Sequence, residues 1–332
     1  TVTPTHACFT FNPVNIIYNN LITNQTAQNY TPTFNAASGC ANIGVDIGGV
    51  NRGIYGLLPQ GSQRVSYALD AGPVKVTSTN GVPIIAALRD AWKLNGQILS
   101  FAQLMGLPNE QLSDTYLFPA YNNVTLDEQL RFANVDTIPT TVTVTIAGVV
   151  RGTYDLAPNE SKRVSYALDA GPVEVKSSGA KIIAAIRDAW KVNGQITSFV
   201  QLMGLPKESL SDTYLFPAYN NVTLDGQLRF GNVDTIPTTV TVTIAGVVKG
   251  TYDLNPSESK RVAYPLDEGP VEIKSSNGAK IIAALRDAWK VNGQIMSFAQ
   301  LMGLPKEKLS DTYILPAYNN VTLDGQLRFG NV

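Results

Sequence analysis

The sequence predicts an all-β chain of three tandem immunoglobulin-like Greek-key sandwiches, each with one short helical segment. Three observations carry that expectation. The block Arg-Asp-Ala-Trp-Lys recurs around Trp92, Trp190 and Trp289, 98 and then 99 residues apart. That period is too long for a solenoid repeat and matches a sandwich of roughly 100 residues. Within each repeat apolar and polar residues alternate, the period of a half-buried strand. Strand patterns do not alternate with long helical ones, so a parallel sheet with crossover helices is not expected.

The first 40 residues lie outside the repeat and form an N-terminal arm. Its Tyr18-Asn19-Asn20 echoes the Tyr121-Asn122-Asn123 of the repeats, and Phe34-Asn35 echoes the end of "QLRFANV". The chain's two cysteines, Cys8 and Cys40, flank the arm. A disulfide stapling it to the first domain is the expectation, and two separate thiols are the alternative. The repeat pattern begins with Ile43, Val45 and Ile47, which match Val142, Val144 and Ile146 of "TTVTVTIAG". There Thr points outward and β-branched apolar residues point inward. "KRVSYALD" sets Val164, Tyr166 and Leu168 on one face, and "GPVEVKSS" sets Val173 and Val175 opposite Glu174 and Lys176. The one-residue length change falls after Ser178, where the other copies carry Asn80 or Asn277, and marks a surface turn. "IIAAIRDAWKV" and "QITSF" are joined by Asn193-Gly194, a type I′ hairpin signal that recurs at Asn95-Gly96 and Asn292-Gly293. "SFVQLMGLPKESLS" reads as about two helical turns, stopped by Gly204 and Pro206. "DTYLFPAYNN" and "LDGQLRFGNV" add two more strands.

Two framings fit this period. A domain either ends with "QLRFGNV" or opens with "DTYLFPAYNN". Successive strands usually neighbour one another, and the link "DTIP" reads as a tight turn, which favours the second framing. The domains are then an arm at 1–40, a first sandwich at 41–112 completed by the arm or a neighbour, sandwiches at 113–210 and 211–309, and donor strands at 310–332. The last segment carries nine apolar side chains, among them Tyr313, Tyr318, Leu323, Leu327, Phe329 and Val332. Their burial offers on the order of 18 kcal/mol gross, and ordering about 20 residues costs at least as much. The segment is therefore expected to find its order by adding to a sheet edge of another copy. A head-to-tail contact that does not close into a ring gives a filament. The first framing would fold the tail back onto the third domain and leave the arm as donor.

A net charge of −1 and 15% charged residues argue against nucleic acid as a partner. No apolar run reaches the 18 residues a membrane span needs. The start at Thr1 without Met, with low charge and many Thr and Asn, leads us to expect a mature, exported, extracellular protein. Chemistry is nearly absent. His6 is the single histidine, so no Ser-His-Asp triad and no His-based metal site is expected. The cysteines lack zinc spacing, and no phosphate loop occurs. "LDG" at Leu323 to Gly325 reads as a turn rather than a calcium loop. Lys181 and Lys280 have no counterpart in the first repeat, which weakens an isopeptide bond. No cofactor and no catalytic residue are expected. The three Trp are expected in the core or against "LMGLP", with the adjoining Arg and Asp paired on the other face; an exposed sugar-binding Trp is the alternative. Covalent glycans are candidate partners, at the Asn-X-Ser/Thr sites Asn24, Asn29, Asn123, Asn159, Asn221 and Asn320.

The motifs "LFPAYNNVTLDGQLRFGNV", "VTVTIAGVV", "RDAWKVNGQ" and "LMGLP" resemble a tandem repeat of exported bacterial surface proteins. The resemblance runs from about Ile43 to Val332 and leaves out the arm. It implies a structural subunit of extracellular filaments, built from β-domains joined by strand complementation, and supplies no active site. A monomeric surface stalk or carbohydrate-binding adhesin module is the alternative function, and an enzyme the third.

Overall fold

The computed structural model describes residues 2–18, 29–35, 39–313 and 327–332. They are nearly all β, in several antiparallel sheets, with no α-helix among the described residues. The chain divides into two compact units, Thr1–Ala86 and Ala87–Val332.

In the larger unit the second and third repeats are built alike. The second has a five-stranded sheet in the order Val149–Leu156, Thr140–Ile146, Val173–Ser177, Thr115–Phe118, Leu205–Pro206. Its other sheet runs Ser161–Val164, Asp127–Asn134, Ile182–Val192, Gln195–Met203. Inward residues of both sheets share one core. Tyr116, Phe118, Val142, Val144, Val173 and Val175 come from the first, and Leu130, Phe132, Ile182 and Ile186 from the second. The Thr140–Ile146 strand buries alternate residues, as the Thr/Val alternation requires. The third repeat reproduces the same two sheets and core. Strand Asp127–Asn134 pairs with Ile182–Val192, much later in the chain, and Thr115–Phe118 pairs with Val173–Ser177. The opening segment thus supplies one interior strand to each sheet of the repeat that follows it. Asn134 fixes the passage between the sheets. Its buried carboxamide donates to Ile138 O at 2.8 Å and accepts from Asp136 N at 2.9 Å, which ties down the "DTIP" link.

The Asn-Gly turns have the predicted geometry. Asn95, Asn193 and Asn292 sit at φ near +50° and the following glycines near +80°. They close three long hairpins, Ala87–Leu94 with Gln97–Met105, Ile182–Val192 with Gln195–Met203, and Ile281–Val291 with Gln294–Met302. The helical reading of "SFVQLMGLPKESLS" is corrected here. Residues up to Met203 are strand, and the only helical feature is the 3-10 turn Lys207–Ser209. The hairpin turn holds this segment in register with Ile182–Val192. Its apolar residues are spaced for helix because the strand is covered on both faces.

The smaller unit holds a three-stranded sheet, Val50–Leu57, Ala41–Ile47, Val74–Ser78, around Ile43, Val45 and Ile47. The arm forms its own ribbon, Phe9–Asn12 with Thr31–Phe34. A disulfide between Cys8 and Cys40 fastens the ribbon to the start of that sheet.

Candidate functional site

Two sets of strand surfaces stand without the partners that the middle repeats give them. In the second and third repeats the strand matching Val74–Ser78 is interior, because Thr115–Phe118 or Thr213–Phe216 lies along its outer edge. Among the described residues Val74–Ser78 pairs on one side only. Val74, Val65, Ile84, Ile85 and Leu88 are exposed, whereas Val173, Ile182 and Ile186, which correspond to Val74, Ile84 and Leu88, are buried. The segment Ser62 to Val65 forms no strand, although its counterpart Ser161–Val164 does, paired to Asp127–Asn134. Among the described residues, then, neither opening strand is present in the first repeat.

The tail presents the converse. Leu327 is 54% and Phe329 89% exposed, while Leu130 and Phe132, at the same repeat positions, are 0% and 2% exposed. Tyr313 is exposed where Tyr116 and Tyr214 are fully buried. The local turn is nevertheless formed: Ser310 N donates to Tyr313 Oη at 3.1 Å, as Ser211 N does to Tyr214 Oη. Val332 is exposed, and Tyr318 and Leu323 lie outside the described residues. Residues Leu327 to Val332 already lie along the third repeat as an opening strand lies along the repeat before it. A Cβ on Gly330 would come 2.9 Å from Pro270, and one on Gly231 would come 3.1 Å from Pro172. Arg328 Nη1 is 3.6 Å from Asp287 Oδ2, and Arg131 Nη1 is 3.9 Å from Asp90 Oδ2.

The hairpins form a second, internal contact that the sequence reading missed. Phe199 N donates to Ser100 Oγ at 3.1 Å, and Phe298 N to Ser198 Oγ at 3.3 Å. Gln201 Nε2 donates to Asp90 Oδ2 at 2.7 Å, and Gln300 makes the same bond to Asp188. Ala102 packs with Ala189, Ile196 and Phe199, and Trp190 packs against Ala288, Ile295 and Phe298. The second hairpin is thus docked on the first, and the third on the second. The available signal was Ser198 and Gln201 standing among the apolar residues of "SFVQLM".

This corrects the reading of Arg-Asp-Ala-Trp. Trp92 and Trp289 are 39% and 52% exposed and are not core residues. The indoles lie on the hairpins and belong to neither of the two large core clusters. Nor do the neighbouring Arg and Asp pair with each other. Arg187 reaches Asp127 at 3.4 Å, and Arg286 reaches Asp225 at 3.2 Å. Alternation puts adjacent strand residues on opposite faces, so each finds a different partner.

One buried polar cluster accompanies the hairpin contact. Glu128 and Asp188 are cross-strand partners, buried, and packed near the buried Arg229 of the third repeat. Burial, reinforced by the Asp188 carboxylate, pushes the Glu128 carboxyl well above the usual range. Glu128 Oε2 accepts from Asn122 N, and the Asp188 carboxyl lies within hydrogen-bonding reach of the same side chain. The third repeat has Gly226 at this position, where the Asn220 carbonyl would abut any Cβ.

Among the described residues no group of three His, Cys, Asp or Glu is arranged to hold a metal. His6 Nδ1 accepts from Cys8 N at 3.1 Å inside the arm. Among the described residues no helix is long and apolar enough to cross a membrane. Of the glycosylation candidates, Asn29 and Asn159 are exposed, Asn123 and Asn221 are half-buried, and Asn24 and Asn320 lie outside the described residues. Asn123 Oδ1 accepts from Glu128 N at 2.9 Å, which gives that side chain a structural task.

No family model and no curated protein matches the sequence. Among solved structures, a β-glucuronidase from Ruminococcus gnavus aligns at 12% identity and a TM-score of 0.14, over 57% of this chain and 35% of its own length. At that score the likeness carries no argument.

Proposed function

We propose that the protein is a structural subunit of an extracellular filament, polymerising head to tail by β-strand donation between copies. The observation that carries this reading is the match between two deficits. The first repeat exposes apolar residues whose counterparts are buried in the later repeats, and the tail exposes Tyr313, Leu327 and Phe329, whose counterparts in the opening segments are buried. In the filament, residues 310–332 of one copy complete the first repeat of the next. Tyr313 then takes the place of Tyr116 beside Val74–Ser78, and Leu327 and Phe329 take those of Leu130 and Phe132. With that strand pair in place the first repeat becomes a third immunoglobulin-like sandwich, and the domains run 41–112, 113–210 and 211–309. The Cys8–Cys40 disulfide supports an oxidising, extracellular setting. The arm keeps the accepting unit folded before the strands arrive.

A chain ending before Ser310 is expected to stay monomeric in electron micrographs and sedimentation, where the full chain forms fibres. Fibres of normal appearance from the shortened chain would rule out the tail as connector.

The exposure of Trp92 and Trp289 favours a second reading, a carbohydrate-binding module. Intrinsic fluorescence distinguishes it: a sugar ligand would shift or quench these indoles in dilute monomer, and the filament reading expects no response.

A further inference from the structure

The hairpin stack inside the chain has two open ends, and their residues are those that meet at its two closed junctions. At the near end the first hairpin exposes Ile98 and Phe101, whose counterparts Ile196, Ile295, Phe199 and Phe298 are all buried by docking on a preceding hairpin. Phe101 is 60% exposed against 8% for Phe199. Gln103, the counterpart of Gln201 and Gln300, is exposed. At the far end the third hairpin exposes Trp289, Ser297 and Leu301, where Trp190, Ser198 and Leu202 are covered by the following hairpin. The missing layer at each end is chemically the layer present at the other.

Building on the strand-donation reading, we propose that the first hairpin of one copy docks on the third hairpin of the copy that donates its tail, continuing the stack without a break along the filament. Phe101 N then donates to Ser297 Oγ, as Phe199 N does to Ser100 Oγ, and Gln103 donates its side-chain amide to Asp287, as Gln201 does to Asp90. The occupant is a second copy, because the chain already makes this contact twice with the same residues. The tail sets the position. Arg328 reaches Asp287 as Arg131 reaches Asp90, so the tail lies where the next opening strand belongs. Each junction is then held twice, by an exchanged strand pair and by the hairpin contact.

The test is disulfide trapping in the full chain. Ser297→Cys with Phe101→Cys is oxidised under assembly conditions and run on a non-reducing gel, beside the intrachain pair Ser100→Cys with Phe199→Cys as a geometry control. A ladder of covalent dimers, trimers and longer species is expected. If the control pair closes and the test chain runs only as monomer, the hairpin contact is wrong. Fibres without a ladder overturn the hairpin contact alone; a chain that forms no oligomer at all overturns strand donation and the hairpin contact with it. Gln103→Glu, at an exposed position that leaves the fold intact, sets a carboxylate against Asp287. It is expected to raise the critical concentration for assembly at least tenfold at neutral pH, with rescue by Asp287→Asn. An unchanged critical concentration would likewise overturn the proposal.

Discussion

Truncating Phe329 to Ala separates folding from assembly. In the single chain this side chain is 89% exposed, so its loss removes almost no burial, and the third repeat is expected to keep its stability to within about 0.5 kcal/mol. In the filament it occupies the position of Phe132 and Phe230, which are 2% and 0% exposed. Removing a buried Phe costs about 3–5 kcal/mol. At about 1.4 kcal/mol per tenfold, the critical concentration rises roughly 100- to 4,000-fold. The matched control is Phe230→Ala, where the same cost falls on the stability of the third repeat. Pelleting across a concentration series gives the first quantity and thermal unfolding of dilute monomer gives the second. The reasoning is refuted if Phe329→Ala lowers the melting temperature as much as Phe230→Ala does, or if it leaves the critical concentration unchanged.

Further expectations follow from the burial pattern. Glu128 binds its proton more tightly folded than unfolded, so its contribution to stability is full below the unfolded value of about 4.3 and is lost as pH rises through the folded value. Glu128→Gln is therefore expected to gain in melting temperature over the native chain as pH is raised from 4 to 8; a gain that shrinks with pH would contradict the assignment. Opening the Cys8–Cys40 bridge, with 32 residues of sequence separation, is expected to remove about 3–4 kcal/mol of loop-closure stabilisation. An isolated two-stranded ribbon is marginal in water, so hydrogen exchange is expected to show the arm ribbon melting first; unchanged protection there would count against the disulfide as its anchor. Asn193→Ala puts a side chain without Asn's tolerance of φ near +51° into the hairpin turn. It is expected to destabilise the second hairpin by about 1 kcal/mol, measured by denaturant unfolding.

The strands were legible where one face is wet. "TTVTVTIAG" and "GPVEVKSS" alternate because their outer faces meet water, and the period of two appears directly. The Asn-Gly turns were legible for a local reason, since type I′ geometry needs residues that tolerate positive φ. "SFVQLM" was misread because its strand is covered on both faces, by the preceding and the following hairpin. Apolar residues then fall at helix-like intervals. The same contact hid the role of Trp92, Trp190 and Trp289. A large indole reads as core in any single repeat, and only the stacking of one repeat on the next reveals a surface between them. The pairing of Gln201 with Asp90 spans 111 residues and leaves no local signature. Nor could periodicity alone say that "QLRFANV" belongs to the sandwich after it; the pairing of Asp127–Asn134 with Ile182–Val192 does.

The most direct test is backbone hydrogen exchange of the full chain at two concentrations, one below and one above assembly. The account predicts that the amides of Thr312, Tyr313 and Leu327 to Val332 become protected on assembly, together with the edge strand Val74–Ser78. Equal protection of both segments at the two concentrations would mean that the tail already has its sheet at home, and the filament contact lies elsewhere.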